Sequence, residues 1–215
     1  KMASASLAMA AVDSSQSVEG TVRITASEVV SNYLLPPIIA DMLVELPQIE
    51  IELVPTNQVE NLLQRDADIA IRMTRPLQND LVTRKVNAMA MGIYADKSYL
   101  ERSTPIKEFE DLSNHILVGY DRNDLILKGF EQAGFSVDRH FFRFRCDNQI
   151  TAIEALITGM GIGFSPKVIA ERYDNLEEIL PEIQIPSLPM WLTSHRELRT
   201  SAKIRLVNDS LGASL

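Results

Sequence analysis

Leu62-Leu63-Gln64-Arg65-Asp66-Ala67-Asp68-Ile69-Ala70-Ile71-Arg72 places an apolar helix end, a polar turn and an Asp-led strand in immediate succession. The strand, Asp68 to Arg72, is largely apolar, as expected where helices cover a sheet. Upstream, Pro55-Thr56-Asn57 leads into the helical Val59-Glu60-Asn61-Leu62-Leu63, and Ile49, Ile51 and Leu53 alternate with Glu50 and Glu52 in a second strand. From Val29 to Leu46 apolar residues recur at helical spacing, and Pro36-Pro37 bends that segment or sets a late helix start. Val22-Arg23-Ile24-Thr25, after Gly20, alternates as a short strand. The resulting β-α-β-α-β order predicts a parallel sheet with right-handed crossovers.

Downstream, a strand-like stretch from Leu81 to Ala95 leaves this first lobe and a second α/β series begins. It reads as a strand over His115 to Tyr120, a helix over Leu125 to Ala133 closed near Gly134, a strand over Phe141 to Arg145, a helix over Gln149 to Ile157 and a strand at Ile162-Gly163-Phe164. Pro186 to Pro189 precedes a strand at Met190-Trp191-Leu192-Thr193, and Ser201 to Leu211 reads as a helix that rejoins the first lobe. The expected fold is α/β, with two Rossmann-like lobes: 20–94 plus 194–215, and 95–193.

A chain of 215 residues, 46% hydrophobic and 23% charged, is long enough for two such lobes and typical of a packed globular protein. No apolar run approaches the roughly 18 residues of a membrane span. The net charge of -8 repels rather than attracts a polyanion, so this segment is not expected to hold nucleic acid by itself. Lys1 followed by Leu7-Ala8-Met9-Ala10-Ala11-Val12 has some features of a secretory signal, but its apolar core is short and interrupted. The expectation for residues 1–19 is instead the frayed end of a linker helix and a polar connection.

Catalytic spacing is missing. His115, His140 and His195 lie far apart, and neither a His-x-x-x-His nor a Cys-x-x-Cys pair occurs. There is no Gly-x-Ser-x-Gly elbow, and Gly159-Met160-Gly161-Ile162-Gly163 follows a helix rather than a strand, unlike a dinucleotide fingerprint. The expectation is no enzyme, no metal and no cofactor. Cys146 is the single cysteine, and its alternation with Phe142 and Phe144 favours a buried structural thiol over a redox role.

In a doubly wound sheet, ligands lie beyond the carboxyl ends of the strands, where amides and helix N-termini point outward. In the first lobe these ends carry Ser27, Glu28, Thr56 and Arg72; in the second, Tyr120, Asp147, Asn148 and Ser165. Ser27 and Thr56 are typed either to donate to a ligand or to cap a helix. Arg72 can grip a carboxylate in a fork or pair with a neighbouring acid. Asp147 and Asn148 line a pocket or cap the following helix, and Tyr120 lines the cleft or packs within its lobe.

Several segments, in this order, resemble the effector-binding domain of LysR-type transcriptional regulators: Glu19 to Ile24, Leu34 to Ile39, Leu46 to Ile51, Leu62 to Arg72, Tyr94-Ala95-Asp96-Lys97-Ser98-Tyr99-Leu100, and Ala155 to Pro166 with its glycine turn. The resemblance covers about Glu19 to Leu211. It implies a fold like that of the type 2 periplasmic-binding proteins, with the effector in a cleft between the lobes at the strand-end loops named above. It also implies a cytoplasmic homodimer, a tetramer when intact, that binds DNA through a winged helix-turn-helix upstream of this segment. A small organic anion is the effector expected from Arg72 and the helix N-termini. The alternative is a periplasmic solute-binding protein of a transporter, which uses the same clamp. An aromatic-acid dehydratase or a tetrapyrrole synthase on this fold is a more distant one, the latter needing a cofactor-bearing cysteine.

Overall fold

The alternation at Val22-Arg23-Ile24 becomes β1 (Gly20–Ala26) in the computed structural model, which describes residues 18–58, 67–77 and 79–215. β2 (Ile49–Pro55) lies parallel on one side of β1, with Ile24 opposite Leu53 and Ala26 opposite Pro55. β3 (Ile69–Arg72) lies parallel on the other, with Ile24 opposite Ile69 and Ala26 opposite Ile71. All of β3 is buried, as its apolar run requires. β10 (Leu188–His195) runs antiparallel to β3, and β4 (Leu81–Met89) completes the order β2-β1-β3-β10-β4. The return of the chain as β10 thus makes the expected parallel sheet a mixed one.

Helical backbone begins at Glu28, passes through a π turn over Val30–Leu34 and continues as α1 (Leu35–Glu45). Leu35 N–H reaches back to the Val30 carbonyl, five residues away. Pro36 and Pro37 bring no N–H to the ladder, and the wider turn ahead of them takes up the mismatch without ending the helix. The helix expected over Val59 to Leu63, the first half of Leu62 to Arg72 and most of the N-terminal connection lie outside the described residues.

The contacts divide the chain into two units, one running to Asn87 and completed by Pro189–Leu215, the other formed by Ala88–Leu188. α6 (Ala202–Ser214) buries Ile204, Val207 and Leu211 in the first unit, a helix longer at its C-terminal end than periodicity alone indicates.

In the second unit β5 (Met91–Asp96) is flanked by β8 (Ile162–Pro166) and β9 (Leu176–Ile179), both antiparallel to it. β6 (Val118–Gly119) and β7 (Phe144–Arg145) form a short parallel pair. The two ladders join where Leu117 bridges Ile162, with Ile162 N–H donating to the Ile116 carbonyl at 2.8 Å. The helices are α2 (Lys97–Glu101), α3 (Leu125–Gln132), α4 (Gln149–Ile157) and α5 (Lys167–Ala170). Leu112, Leu117, Phe130, Phe142 and Ile162 fill the core between these layers.

Several local expectations need correction. Leu81 to Ala95 is two strands, broken at Ala90, whose carbonyl accepts Lys167 N–H at 2.8 Å; one strand joins each unit's sheet. Phe141 to Arg145 is not one strand, because a 3-10 turn over Arg139–Phe141 opens on the Asp138 side chain, which accepts His140 N–H at 2.8 Å. Only Phe144 and Arg145 pair with β6. Glu177 and Glu178 belong to β9, where Glu177 is exposed and Glu178 meets Lys167 at 2.6 Å. Cys146 is half-buried rather than buried, since β7 ends before it; its N–H still donates to Gly119 at 3.0 Å.

Asp96 shows how one side chain orders the entry to α2. Its Oδ1 accepts Ser98 N–H at 2.8 Å and Tyr99 N–H at 3.3 Å, together with the Ser98 hydroxyl, and Oδ2 accepts Asn175 Nδ2 at 2.6 Å. The Ser98 hydroxyl and Asn175 hold the carboxyl below the usual carboxylate range. A depressed folded pKa stabilises above the ordinary carboxylate value, and that stability is lost as pH falls through the lower, folded value. Asp96→Ala is expected to cost about 1 kcal/mol at neutral pH and to unfold with less acid dependence than wild type. Urea midpoints at neutral pH and about pH 3 check this, since a cap that acted only sterically would give the same loss at both.

Candidate functional site

The strand ends of the first unit converge through the register of its sheet. Ala26 pairs with both Pro55 and Ile71, so the next residues along the three strands are Ser27, Thr56 and Arg72. Thr56 N–H donates to the Ala26 carbonyl at 2.9 Å, which ties the first two ends together. Arg72, only 4% exposed, ties in the third: Nη1 donates to the Thr56 carbonyl at 2.7 Å and Nη2 to Thr25 Oγ1 at 3.0 Å.

Two polar atoms at this point have no hydrogen-bond partner among the described residues: Ser27 Oγ and Arg72 Nε. Ser27 is 8% exposed and stands immediately before the helical segment that begins at Glu28. No acid among the described residues forms an ion pair with Arg72, whose burial lowers its pKa. A guanidinium remains charged in a protein, and a buried charge without a counterion costs several kcal/mol. The site therefore combines a desolvated cation, a free N–H beside an already oriented Nη, a buried hydroxyl and a helix N-terminus. Such a set complements a carboxylate.

Glu28 and Thr56 serve the frame. Glu28 N–H donates to Asn57 Oδ1 at 3.1 Å, Asn57 Nδ2 returns to Glu28 Oε2 at 3.1 Å, and Thr56 Oγ1 accepts Gln58 N–H at 3.1 Å. Sequence reasoning placed Thr25 and Asn57 in the strand-end stretches Thr25 to Glu28 and Pro55 to Asn57 but gave neither a role of its own. Thr25 sits within an alternating strand, and only the register reveals that its hydroxyl receives Arg72.

The second unit treats its four candidates differently. Asp147 does not cap α4. Its carboxylate accepts Asp121 N–H at 2.9 Å, Arg122 N–H at 3.0 Å and Asn123 N–H at 3.1 Å, binding the loop after β6 to the end of β7. These amides, with Asn123 the strongest, hold its carboxyl below the usual range. Asn148 is the cap, accepting Thr151 N–H at 2.9 Å. Ser165 is fully buried and its hydroxyl donates to the Pro166 carbonyl at 3.1 Å. The Tyr120 hydroxyl bonds the Gln149 side chain; burial and then the Asp147 charge push it up to about 12. Its ring lines a cavity with Leu125, Phe130 and Phe164.

Residues 15–215 match the family model of the LysR substrate binding domain. The chain belongs to the LysR substrate binding domain family. Relatives of this LysR domain include the HTH-type transcriptional activator AaeR of Escherichia coli (strain K12), 29% identical over 197 residues, a match covering 89% of this chain and 64% of AaeR. A probable HTH-type transcriptional regulator, SinR, of Salmonella typhimurium is 31% identical over 130 residues, 55% of this chain and 40% of its own. The LysR domain thus spans less than two thirds of the length of these relatives. Among solved structures, the regulatory domain of CrgA, a LysR-type regulator from Neisseria meningitidis, superposes with a TM-score of 0.81 at 18% identity, over 92% of this chain and all of that one. The full-length virulence activator AphB of Vibrio cholerae superposes with a TM-score of 0.76 at 21% identity, over 98% of this chain and 75% of that one. The family and its named relatives are regulators rather than enzymes, and they do not favour the solute-binding alternative.

Proposed function

We propose that this LysR domain is the sensing part of a transcription regulator and that it takes a small organic anion at Ser27 and Arg72, framed by Glu28 and Thr56. The supporting observation is the pair of buried, unpartnered groups, Arg72 Nε and Ser27 Oγ, at adjoining strand ends. A carboxylate there supplies the missing acceptors and the missing countercharge in one step. Tyr120, Asp147, Asn148 and Ser165 belong to the second unit; we assign the last three to shaping its strand-end loops, while the Tyr120 ring lines the cavity there.

Effector binding then shifts the population of regulator states, which can act only through differential affinity for those states. The names of the relatives, HTH-type transcriptional regulators, support DNA contact through a helix-turn-helix, and we infer from the family resemblance a winged form of it in a cytoplasmic homodimer, or a tetramer when intact. The net charge of -8 fits DNA contact being made by another segment.

A thermal-shift screen of aliphatic and aromatic carboxylates against wild type and Ser27→Ala tests the reading. At least one acid is expected to raise the melting temperature of wild type, and Ser27→Ala is expected to weaken its affinity roughly threefold to tenfold, the value of one hydrogen bond. If no carboxylate in the panel stabilises wild type, the effector is not an organic acid.

A further inference from the structure

The second unit contains a partly open cavity of about 150 Å³. Its walls are Met91, Leu125 and Ile185 together with the rings of Tyr120, Phe130 and Phe164. Phe130 and Phe164 meet edge to face, 5.3 Å apart at 84°, so one aromatic wall is already fixed. Leu125 is 38% exposed, so the lining reaches the protein surface there.

Gly129 is the unexpected member of the lining. It sits inside α3, where glycine weakens a helix relative to alanine. Its backbone is not in the left-handed region that would demand glycine. Nor is it crowded: a Cβ there would meet only Ile185 Cγ2, at an ordinary 3.9 Å. Gly119 and Gly161 differ, since a Cβ would overlap the Phe142 ring at the first and the Ile116 carbonyl oxygen at the second. What Gly129 provides is open space.

The lining also selects the occupant. Lys128, the one basic residue of the lining among the described residues, is exposed, and its Nζ pairs with Asp124 at 2.8 Å. The Tyr120 phenol stays neutral at physiological pH and is engaged by Gln149. A charged group entering here would lose hydration without gaining a partner, whereas an apolar ring would replace void with contact. Engineered apolar cavities of ~150 Å³ take up benzene.

We propose that this cavity is a second binding site, for a small neutral aromatic molecule of one ring or a fused pair, independent of the anion site of the first unit.

Methyl NMR titration of the protein with phenol and indole, and with benzoate as the charged counterpart, tests the assignment. Phenol and indole are expected to give saturable shifts centred on the methyls of Met91, Leu125 and Ile185, and benzoate none there. Gly129→Leu fills the space and is expected to remove the shifts. Gly129→Ala, whose Cβ has room, is expected to raise the melting temperature by roughly 2–4 °C and to weaken phenol binding severalfold. Arg72→Met is expected to leave phenol binding unchanged, and the Gly129 variants to leave carboxylate stabilisation unchanged, so either site can fail alone. The proposal is overturned if neither ring shifts these methyls saturably, or if folded Gly129→Leu binds phenol like wild type. Should Gly129→Leu not fold, wild-type phenol affinity in Gly129→Ala overturns it equally.

Discussion

Arg72→Met is expected to remove the stabilisation that carboxylates give, weakening the best acid of a screen roughly thirtyfold or more, because losing a desolvated charge partner costs about 2–5 kcal/mol. The ligand-free protein should respond far less. Removing the guanidinium relieves a buried cation that pairs with no described acid, yet it strands the Thr56 carbonyl that Nη1 now satisfies at 2.7 Å. Thr25 Oγ1 keeps its own bond, donating to the Val54 carbonyl at 3.1 Å. The stranded carbonyl costs about 1–3 kcal/mol and opposes the relief of the buried cation, so the free melting temperature is expected to change less than the ligand's stabilisation does. Arg72→Lys keeps the charge without the planar fork and should recover only part of the affinity. Thermal shift and calorimetry on the three proteins separate these outcomes, and equal stabilisation of wild type and Arg72→Met by every acid would remove Arg72 as the anchor.

Gly161→Ala should be the most destabilising single methyl in the second unit. A Cβ at Gly161 would overlap the Ile116 carbonyl oxygen outright and lie 2.9 Å from its carbon. Both are backbone atoms, so no rotamer change relieves the overlap. The same oxygen accepts Ile162 N–H at 2.8 Å, beside the bridge that joins the β6–β7 pair to β8. Overpacking against backbone at such a junction costs about 3 kcal/mol or more, a drop in melting temperature of roughly 10 °C. Gly134→Ala is the useful comparison. Its φ of +92° is unfavourable for alanine, but nothing lies within 4 Å of its Cβ, so it should lose only about 1–2 kcal/mol. Urea midpoints that rank the two variants equally would mean that the backbone at Ile116 shifts to relieve the contact at Gly161.

Gly159 and Gly161 mark what was readable in advance and what was not. The run Ala155 to Pro166 announces a helix, a glycine turn and a strand, and Gly159 has the left-handed φ, +74°, that a helix end calls for. The need for glycine at Gly161 arises instead from Ile116, which only the assembled sheet brings alongside. Similarly, Gln149–Ile157 is the helix its periodicity predicts and Asn148 its cap, while the role of Asp147 depends on amides of the loop after β6, far away in the chain.

The stretch from Leu62 to Arg72 divides in the same way. Local pattern was enough to establish that an apolar strand follows a polar turn there, that its neighbours alternate as strands and helices, and that polar residues close each strand, because backbone periodicity and turn chemistry act over a few residues. It took the folded chain to settle that Arg72 reaches Thr25 and Thr56, that its Nε and Ser27 Oγ are left over, that Leu81 to Ala95 is shared between two units, and that Gly129 faces a void. Those outcomes depend on strand register and on side chains packed from distant segments, and each such contact exists only once the chain has closed on itself.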